Sequence, residues 1–333
     1  MRKILVTGAT GFLGKYLVSQ LLDEGCTVLA MGRNEEAGKE LEKMGAVFCK
    51  CDFTDKNSCS EYFSGLDCVI HAGALSTVWG KWEEFYRINV EGTKNICELC
   101  IENNVKRLVY ISSPSIYSGK RHRYGIREEE VNEKNELNYY IKSKILAEKI
   151  IREFNFRGLY TVVLRPRGLI GIGDTSLIPR VLQANKKSGI PLFNGGENYV
   201  DVTCVENVAL ACVLASKKEN INGEVFNITN GEPMRFRIIL EKFLSAIDEK
   251  PRYLRLPFGL VYRISCSLEK KWRKGSKPGE PPLTRYTVCT LAFSQTLDIT
   301  RAKEKLGYKP IKTLSEGIVE YGRYWKNSNS KTV

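Results

Sequence analysis

The sequence predicts an α/β fold built on a doubly wound parallel sheet, with a smaller, irregular C-terminal region. Three observations carry that prediction. Short apolar runs alternate with segments of helical periodicity from residue 3 onward, and the first run ends directly in a glycine-rich turn. Beyond Gly171 this rhythm gives way to recurrent breakers: Pro191, Gly195-Gly196, Pro233, Pro251, Pro257, Pro278 and Pro281-Pro282. Alternating strands and helices feed a parallel sheet through right-handed crossovers, which cover both faces with helices.

Lys3 to Thr7 (KILVT) is apolar and stops at a glycine, as a buried strand does. Phe12, Leu13, Tyr16, Leu17 and Leu21 recur at helical spacing, so a helix is expected over 12–22. Thr27 to Met31 is the next strand and Glu35 to Met44 the next helix. Val47-Phe48 and Cys68 to His71 are strands with a helix between them. One long helix is expected from Trp82 to Asn103, then a strand over Leu108 to Ser112. The chain is polar from Ser113 to Asn138. Residues 139–156 read as a helix, and Thr161 to Leu164 as a strand closed by Arg165-Pro166. The expected division is a dinucleotide-binding part, 1–170 with 201–229, and a substrate region, 171–200 with 230–333. The second part returns to the first near 298–325.

The 333 residues carry 43% apolar and 27% charged side chains, enough for a substantial core. No apolar run is long enough to suggest a membrane span, and the N-terminal run breaks at Thr7-Gly8, so a cytoplasmic location is expected. The eleven cysteines are scattered and only His71 and His122 accompany them, so no zinc cluster assembles. Reduced, buried thiols are expected and no metal. The net charge of +13 is dispersed among acidic residues, as in Arg127-Glu128-Glu129-Glu130, without a basic-aromatic module, so no nucleic acid is expected as a partner.

Gly8-Ala9-Thr10-Gly11-Phe12-Leu13-Gly14 joins the first strand to the first helix. Glycines at a strand–helix junction allow a tight turn and let backbone approach a pyrophosphate, while the helix N-terminus offers free N–H groups and a positive dipole. The context makes this a Rossmann-type phosphate loop. At the end of the second strand stand Gly32-Arg33-Asn34 in place of an acidic residue. A guanidinium pairs with a 2′-phosphate that a carboxylate would repel, so NADP(H) is favoured, with NAD(H) the alternative.

With its glycines three apart in TGxxGxxG, the loop resembles that of the extended short-chain dehydrogenase/reductase superfamily, and the resemblance continues along nearly the whole chain. It implies that Asp52, with Phe53 beside it, meets the adenine. It also implies that Ala72, Gly73 and Ala74 lie along the cofactor and that Pro166, in Arg165-Pro166-Arg167-Gly168, lies beside the nicotinamide. Tyr140 and Lys144 stand one helical turn apart, where the ammonium can lower the pKa of the phenol for acid–base work. Their setting, YIKSKILAE, resembles the family's Y-x-x-[ST]-K-x-x-A-E. The third catalytic member is expected as a hydroxyl at the end of the fifth strand. Ser113 is favoured over Ser112 and Ser115, and Asn89 resembles the asparagine that steadies the active-site helix.

HAGALSTVWGKWEEFYRINVEGT, SSPSIY, LIPRVL and NYVDVTCVENVA are similar to 3β-hydroxysteroid dehydrogenase-like enzymes. That branch includes sterol-4-carboxylate 3-dehydrogenases and 2-alkyl-3-oxoalkanoate reductases. It implies hydride transfer at a carbonyl or hydroxyl carbon of a small, lipid-like, steroid-like or β-keto substrate. Trp79, Ser115, Tyr117 and Arg167 are expected on the substrate side, with Trp82 and Tyr86 as further aromatic walls. The alternatives are a nucleotide-sugar epimerase of the same fold and a non-catalytic cofactor-sensing protein; Pro114-Ser115 after the hydroxyl argues against dehydration. The resemblance implies a homodimer through helices 82–103 and 139–156. Residues 254–277 mix apolar and basic residues around Trp272 and are expected either to be a helix with a solvated basic loop or to contact a membrane surface.

Overall fold

A computed structural model describes residues 1–275 and 279–329. Its centre is a seven-stranded, all-parallel sheet in the order 225–228, 161–166, 108–111, 68–71, 3–7, 27–32, 47–50. The first strand pairs with two others, Ile4 with Val28 on one side and with Cys68 on the other. The chain therefore winds outward from it in both directions, and a crevice opens at the strands' C-terminal edge, where open α/β sheets bind ligands. Ile4, Val6, Val28, Ile70, Val109 and Leu164 fill the core on one face; Leu5, Leu29, Val69, Leu108 and Tyr110 fill the other. That alternation is the two-residue period of a strand buried on both sides.

The expected helices are present at Phe12–Asp23, Glu35–Lys43 and Tyr139–Phe156. The long helix expected from 82 to 103 is instead three segments in succession: α-helical Trp82–Phe85, a π-helical Tyr86–Glu91 and α-helical Gly92–Glu102. The polar stretch from 113 to 138 contributes elements of its own. Pro114–Tyr117 forms a 3₁₀ turn and Arg123–Ile126 a strand that pairs with Gln295–Leu297 in a second, four-stranded sheet. Residues 170–192, 240–247 and 314–321 share a separate apolar cluster, whereas Ile299, Ala302, Leu306 and Tyr308 pack into the core of the large sheet.

The expectation of reduced thiols throughout is corrected at one place. Cys51 and Cys59 form a disulfide, their Cα atoms 6.0 Å apart. Asp55 caps the short Lys56–Cys59 helix and folds the chain back, which brings two cysteines eight residues apart into bonding range. The other nine are free.

The Phe258–Arg273 helix covers most of residues 254–277, the segment expected to be either a helix with a solvated basic loop or a membrane contact; Ser276 and Lys277 lie outside the described residues. Its Val261, Ser265 and Glu269 are buried, and Leu260 and Ile264 are exposed beside Arg263, Lys270 and Lys271. No described helix is long and apolar enough to cross a membrane.

Candidate active site

The phosphate loop is shaped by contacts that only glycine permits. Gly8 has φ +69°, and a Cβ there would meet Gly73 Cα at 2.7 Å, so the ends of the first and fourth strands could not close. A Cβ on Gly14 would overlap the Gly8 carbonyl and Ala9, which would push the helix off the loop. Gly11 is the N-cap of the Phe12–Asp23 helix. No side chain caps that helix and no acidic residue sits in its first turn. Its leading N–H groups are thus without a side-chain acceptor, as a pyrophosphate site requires. Thr10 packs against Gly32, and Phe12 stacks edge-on with Tyr16 and faces Gly171. Leu13 lies against the core.

At the adenosine end, Arg33 is mostly exposed and reaches Asp52 at 3.4 Å. The other Asp52 oxygen accepts the Thr54 N–H at 3.0 Å and its hydroxyl at 2.9 Å. These bonds, aided by the charge on Arg33, outweigh partial burial and hold the Asp52 carboxyl below its ordinary range. Asn34 has a local job: its Oδ1 caps the next helix by accepting the Ala37 N–H at 3.1 Å. Phe53 packs edge-on against His71, and a Cβ on Gly73 would strike it. Ala72, Gly73 and Ala74 follow the fourth strand, where Gly73 N–H donates to Thr7 Oγ1 at 3.1 Å.

The candidate catalytic groups converge at the C-terminal edge of the sheet. Asn138 caps the helix that follows by accepting the Ile141 N–H at 2.8 Å, which sets Tyr140 and Lys144 in its first two turns. The Tyr140 ring is partly accessible. Desolvation pushes its hydroxyl up to about 12, and the Ser113 side chain pulls the other way. Ser113 caps the 3₁₀ turn through the Ser115 N–H at 3.2 Å and donates to Ser115 Oγ at 2.9 Å. Lys144 is 2% exposed, and its ammonium donates to the Ile111 carbonyl at 2.8 Å and the Tyr110 hydroxyl at 3.1 Å. Burial pulls it down to about 7, partly opposed by Glu148. Two of its three N–H donors are used, which leaves one for a ligand hydroxyl. Asn89 sits in the π-helical segment and bonds Ser143 and Leu75.

Several groups that the sequence reading passed over complete the frame. Thr7 takes its hydrogen bond from Gly73 and gives its own proton to His71 Nδ1 at 2.6 Å; His71 Nε2 donates to Thr93 at 3.2 Å, and Thr93 to the Asn89 carbonyl at 2.7 Å. That chain needs a neutral imidazole, and desolvation accordingly pulls His71 down to about 3. Arg165 pairs in the interior with Glu148, Nε to Oε1 at 2.9 Å and Nη2 to Oε2 at 2.5 Å. Glu148 also accepts the Ser112 hydroxyl, so Ser112 is spent on the scaffold. The glutamate four residues after Lys144 in YIKSKILAE was the sequence signal for this pair.

The expected substrate residues divide. Tyr117 is 3% exposed and its hydroxyl bonds Asn227 and Arg165, so it belongs to the frame and not to a pocket wall. Ser115 is also buried, behind Ser113. Trp79 is half-buried, with the Arg273 guanidinium 5.6 Å from its ring centre; Arg273 also donates to the Tyr139 hydroxyl at 2.8 Å. Trp82 lies between Tyr86 and Tyr139, 5.6 Å from each. Pro166 ends its strand, and Arg167 is buried just beyond it.

Known proteins are similar to this chain in sequence and in fold. The sequence pattern of the NAD dependent epimerase/dehydratase family matches residues 4–229. The chain is 37% identical to the uncharacterized protein YbjS of Escherichia coli (strain K12), with 99% of each chain covered. It is 33% identical to the 2-alkyl-3-oxoalkanoate reductase of Stenotrophomonas maltophilia (strain K279a), covering 95% of this chain and 97% of that one. Among solved structures, MoeE5 in complex with UDP-glucuronic acid and NAD superposes with a TM-score of 0.76 at 23% identity, covering 98% and 99% of the two chains; at that identity the likeness is one of fold. A family pattern spanning two thirds of the sequence, laid over this loop and this Tyr140–Lys144 helix, places the chain in the NAD dependent epimerase/dehydratase family.

Proposed function

We propose that the protein is an NADPH-preferring oxidoreductase that interconverts a ketone and a secondary alcohol on an apolar substrate of β-oxo or steroid type. The observation that carries this reading is Tyr140 one helical turn before the buried Lys144, whose ammonium bonds the Ile111 carbonyl two residues before Ser113, at the sheet edge that the glycine loop also faces. The bare N–H groups of the first helix turn fit a dinucleotide's pyrophosphate, and such a cofactor supplies or accepts the hydride. Tyr140 moves the proton: in the reductive direction its hydroxyl gives it to the substrate oxygen, and in the oxidative direction it takes it back. Ser113 hydrogen-bonds the same oxygen and holds it against the phenol. Lys144 stabilises the phenolate that reduction leaves, and the carbonyl of Ile111 and hydroxyl of Tyr110 fix where that charge sits.

The exposed Arg33 guanidinium supports the preference for a 2′-phosphorylated cofactor, since only a weak 3.4 Å contact with Asp52 competes for it. A homodimer through residues 82–103 and 139–156 belongs to the same reading. So does contact of the Phe258–Arg273 helix with an anionic bilayer, supported by exposed Leu260 and Ile264 among basic residues; co-sedimentation with anionic but not neutral vesicles tests it. The function itself is tested by NADPH oxidation across β-oxo lipids, steroids and UDP-sugars. Turnover of a UDP-sugar without net cofactor oxidation would replace this reading with epimerisation.

A further inference from the structure

The sulfurs of the Cys51–Cys59 bridge lie between the two strand ends that carry Arg33 and Asp52. Cys51 follows the Val47–Lys50 strand, and its N–H donates to the carbonyl of Gly32, one residue before Arg33, at 3.1 Å. Cys59 ends the Lys56–Cys59 helix, with its Sγ 3.4 Å from the Asp52 carbonyl and 4.0 Å from Met31 Sδ. The bridge therefore closes Asp52, Phe53 and Thr54 into one short loop. The middle of that loop is anchored from outside. The Asn95 side-chain amide donates to the Phe53 carbonyl at 3.3 Å and the Thr54 carbonyl at 3.1 Å, and Arg87 donates to the Thr54 hydroxyl at 2.8 Å.

Breaking the bridge turns two bonded sulfurs into thiols that must stand a full van der Waals contact apart, inside a packed interior. Neither sulfur has slack: Cys59 is held against the Asp52 carbonyl and Met31, and Cys51 Sγ lies 3.3 Å from Ser58 Oγ. Because Asn95 holds Phe53 and Thr54, the displacement falls on Asp52, which stands between them and Cys51. Asp52 is also the residue that Arg33 reaches at 3.4 Å. The other nine cysteines are free, eight of them buried. So many unpaired thiols suit reducing surroundings, where a disulfide is made and broken and not kept. Cys51 is 6% exposed and Cys59 0%, so a small thiol meets Cys51 first.

We propose that Cys51–Cys59 is a reversible thiol–disulfide site that sets dinucleotide affinity, with small thiols of the glutathione class as its co-reactant. The bridged form binds NADPH tightly and the dithiol form weakly. This rests on the placement of the cofactor's adenosine at Arg33 and Asp52. In reduction a small thiolate attacks Cys51 Sγ, the S–S bond breaks, and Cys59 leaves as a thiolate that takes up a proton. A second small thiolate attacks the mixed disulfide on Cys51 and releases the Cys51 thiolate, which is protonated in turn. Two small thiols thus give up two electrons and two protons and depart as their own disulfide; oxidation is the same sequence reversed.

The test equilibrates the full chain without oxygen in buffers of varied reduced-to-oxidised glutathione ratio. Thiols are counted by alkylation and mass spectrometry, and NADPH is titrated by fluorescence at each ratio. Thiols 51 and 59 should vanish together as oxidised glutathione rises. NADPH affinity should rise with their loss by on the order of tenfold, about the worth of one well-made hydrogen bond. NADH, which shares the adenosine, should follow. Cys51→Ser and Cys59→Ser should bind like the reduced wild type at every ratio, with unchanged circular dichroism. Cys266→Ser, which alters the one free thiol that is not buried, should keep the full response. The wild-type titration decides the matter even where a variant fails to fold. A bridge that persists, or never forms, across the whole range overturns the proposal. Reversible bridging with unchanged affinity for both dinucleotides overturns it too, and leaves the cofactor reading in place. Failure of both forms to bind either dinucleotide removes the proposal together with that reading.

Discussion

Asn89 binds two parts of the active site together. Its Nδ2 donates to the Ser143 hydroxyl at 2.9 Å and to the Leu75 carbonyl at 3.0 Å, and its Oδ1 accepts the Leu75 N–H at 2.7 Å. Ser143 in turn donates to the Tyr140 carbonyl at 2.8 Å. A π-helical turn is an expensive way to place one side chain, and here it holds the amide between the helix that carries Tyr140 and the loop after the fourth strand. Asn89→Ala should lower kcat by on the order of 10-fold to 10²-fold through a small displacement of the phenol, with cofactor affinity nearly unchanged. Equal losses in kcat and in cofactor affinity would point to general disruption in place of positioning.

His71 predicts a pH dependence of stability. Its folded pKa, about 3, is depressed below the unfolded value of about 6.5. The neutral ring's contribution is therefore complete above pH ~6.5 and is lost as pH falls from there towards the folded value, at about 1.4 kcal/mol per unit. Urea unfolding of wild type and His71→Gln should show the gap between them moving in the variant's favour by about that slope between roughly pH 6 and pH 4. Parallel curves would mean that the ring is not held neutral.

Arg33 should set cofactor choice. The wild type is expected to bind NADPH more tightly than NADH, and Arg33→Ala to lose on the order of tenfold for NADPH with little change for NADH. Isothermal titration of both cofactors against both proteins decides it. Equal affinities in the wild type would refute the preference.

The Arg165–Glu148 pair predicts a large stability effect with a diagnostic pattern. Both side chains are largely withdrawn from water, at 4% and 14% exposure. Arg165→Met leaves a buried carboxylate unpaired and should cost about 3–5 kcal/mol in urea unfolding; adding Glu148→Gln should recover part of that. A double variant no more stable than Arg165→Met would show that the pair is not coupled.

Much of this site was legible in the sequence because its signals are local. The KILVT run, the glycines after it and the four-residue interval from Tyr140 to Lys144 each fix structure within one strand, turn or helix. What stayed hidden depends on distant partners. Arg123–Ile126 is polar and becomes a strand only because Gln295–Leu297 comes to lie beside it. Tyr117 looks like a pocket aromatic until Asn227 and Arg165 take its hydroxyl. The Cys51–Cys59 bridge follows from a helix cap at Asp55 that turns the chain back, and cysteine spacing alone does not announce it. Asn34 follows the second strand beside Arg33, and only the structure shows its side-chain oxygen capping the next helix.

If Tyr140 carries the proton in a ketone–alcohol conversion, its loss shows in single-turnover NADPH oxidation by a 2-alkyl-3-oxoalkanoate. Tyr140→Phe keeps the ring, the helix and the phosphate loop and removes only the hydroxyl. NADPH affinity should stay close to wild type while the rate falls by on the order of 10²–10⁴. A Tyr140→Phe protein that oxidises NADPH at a near wild-type rate with that substrate would contradict it.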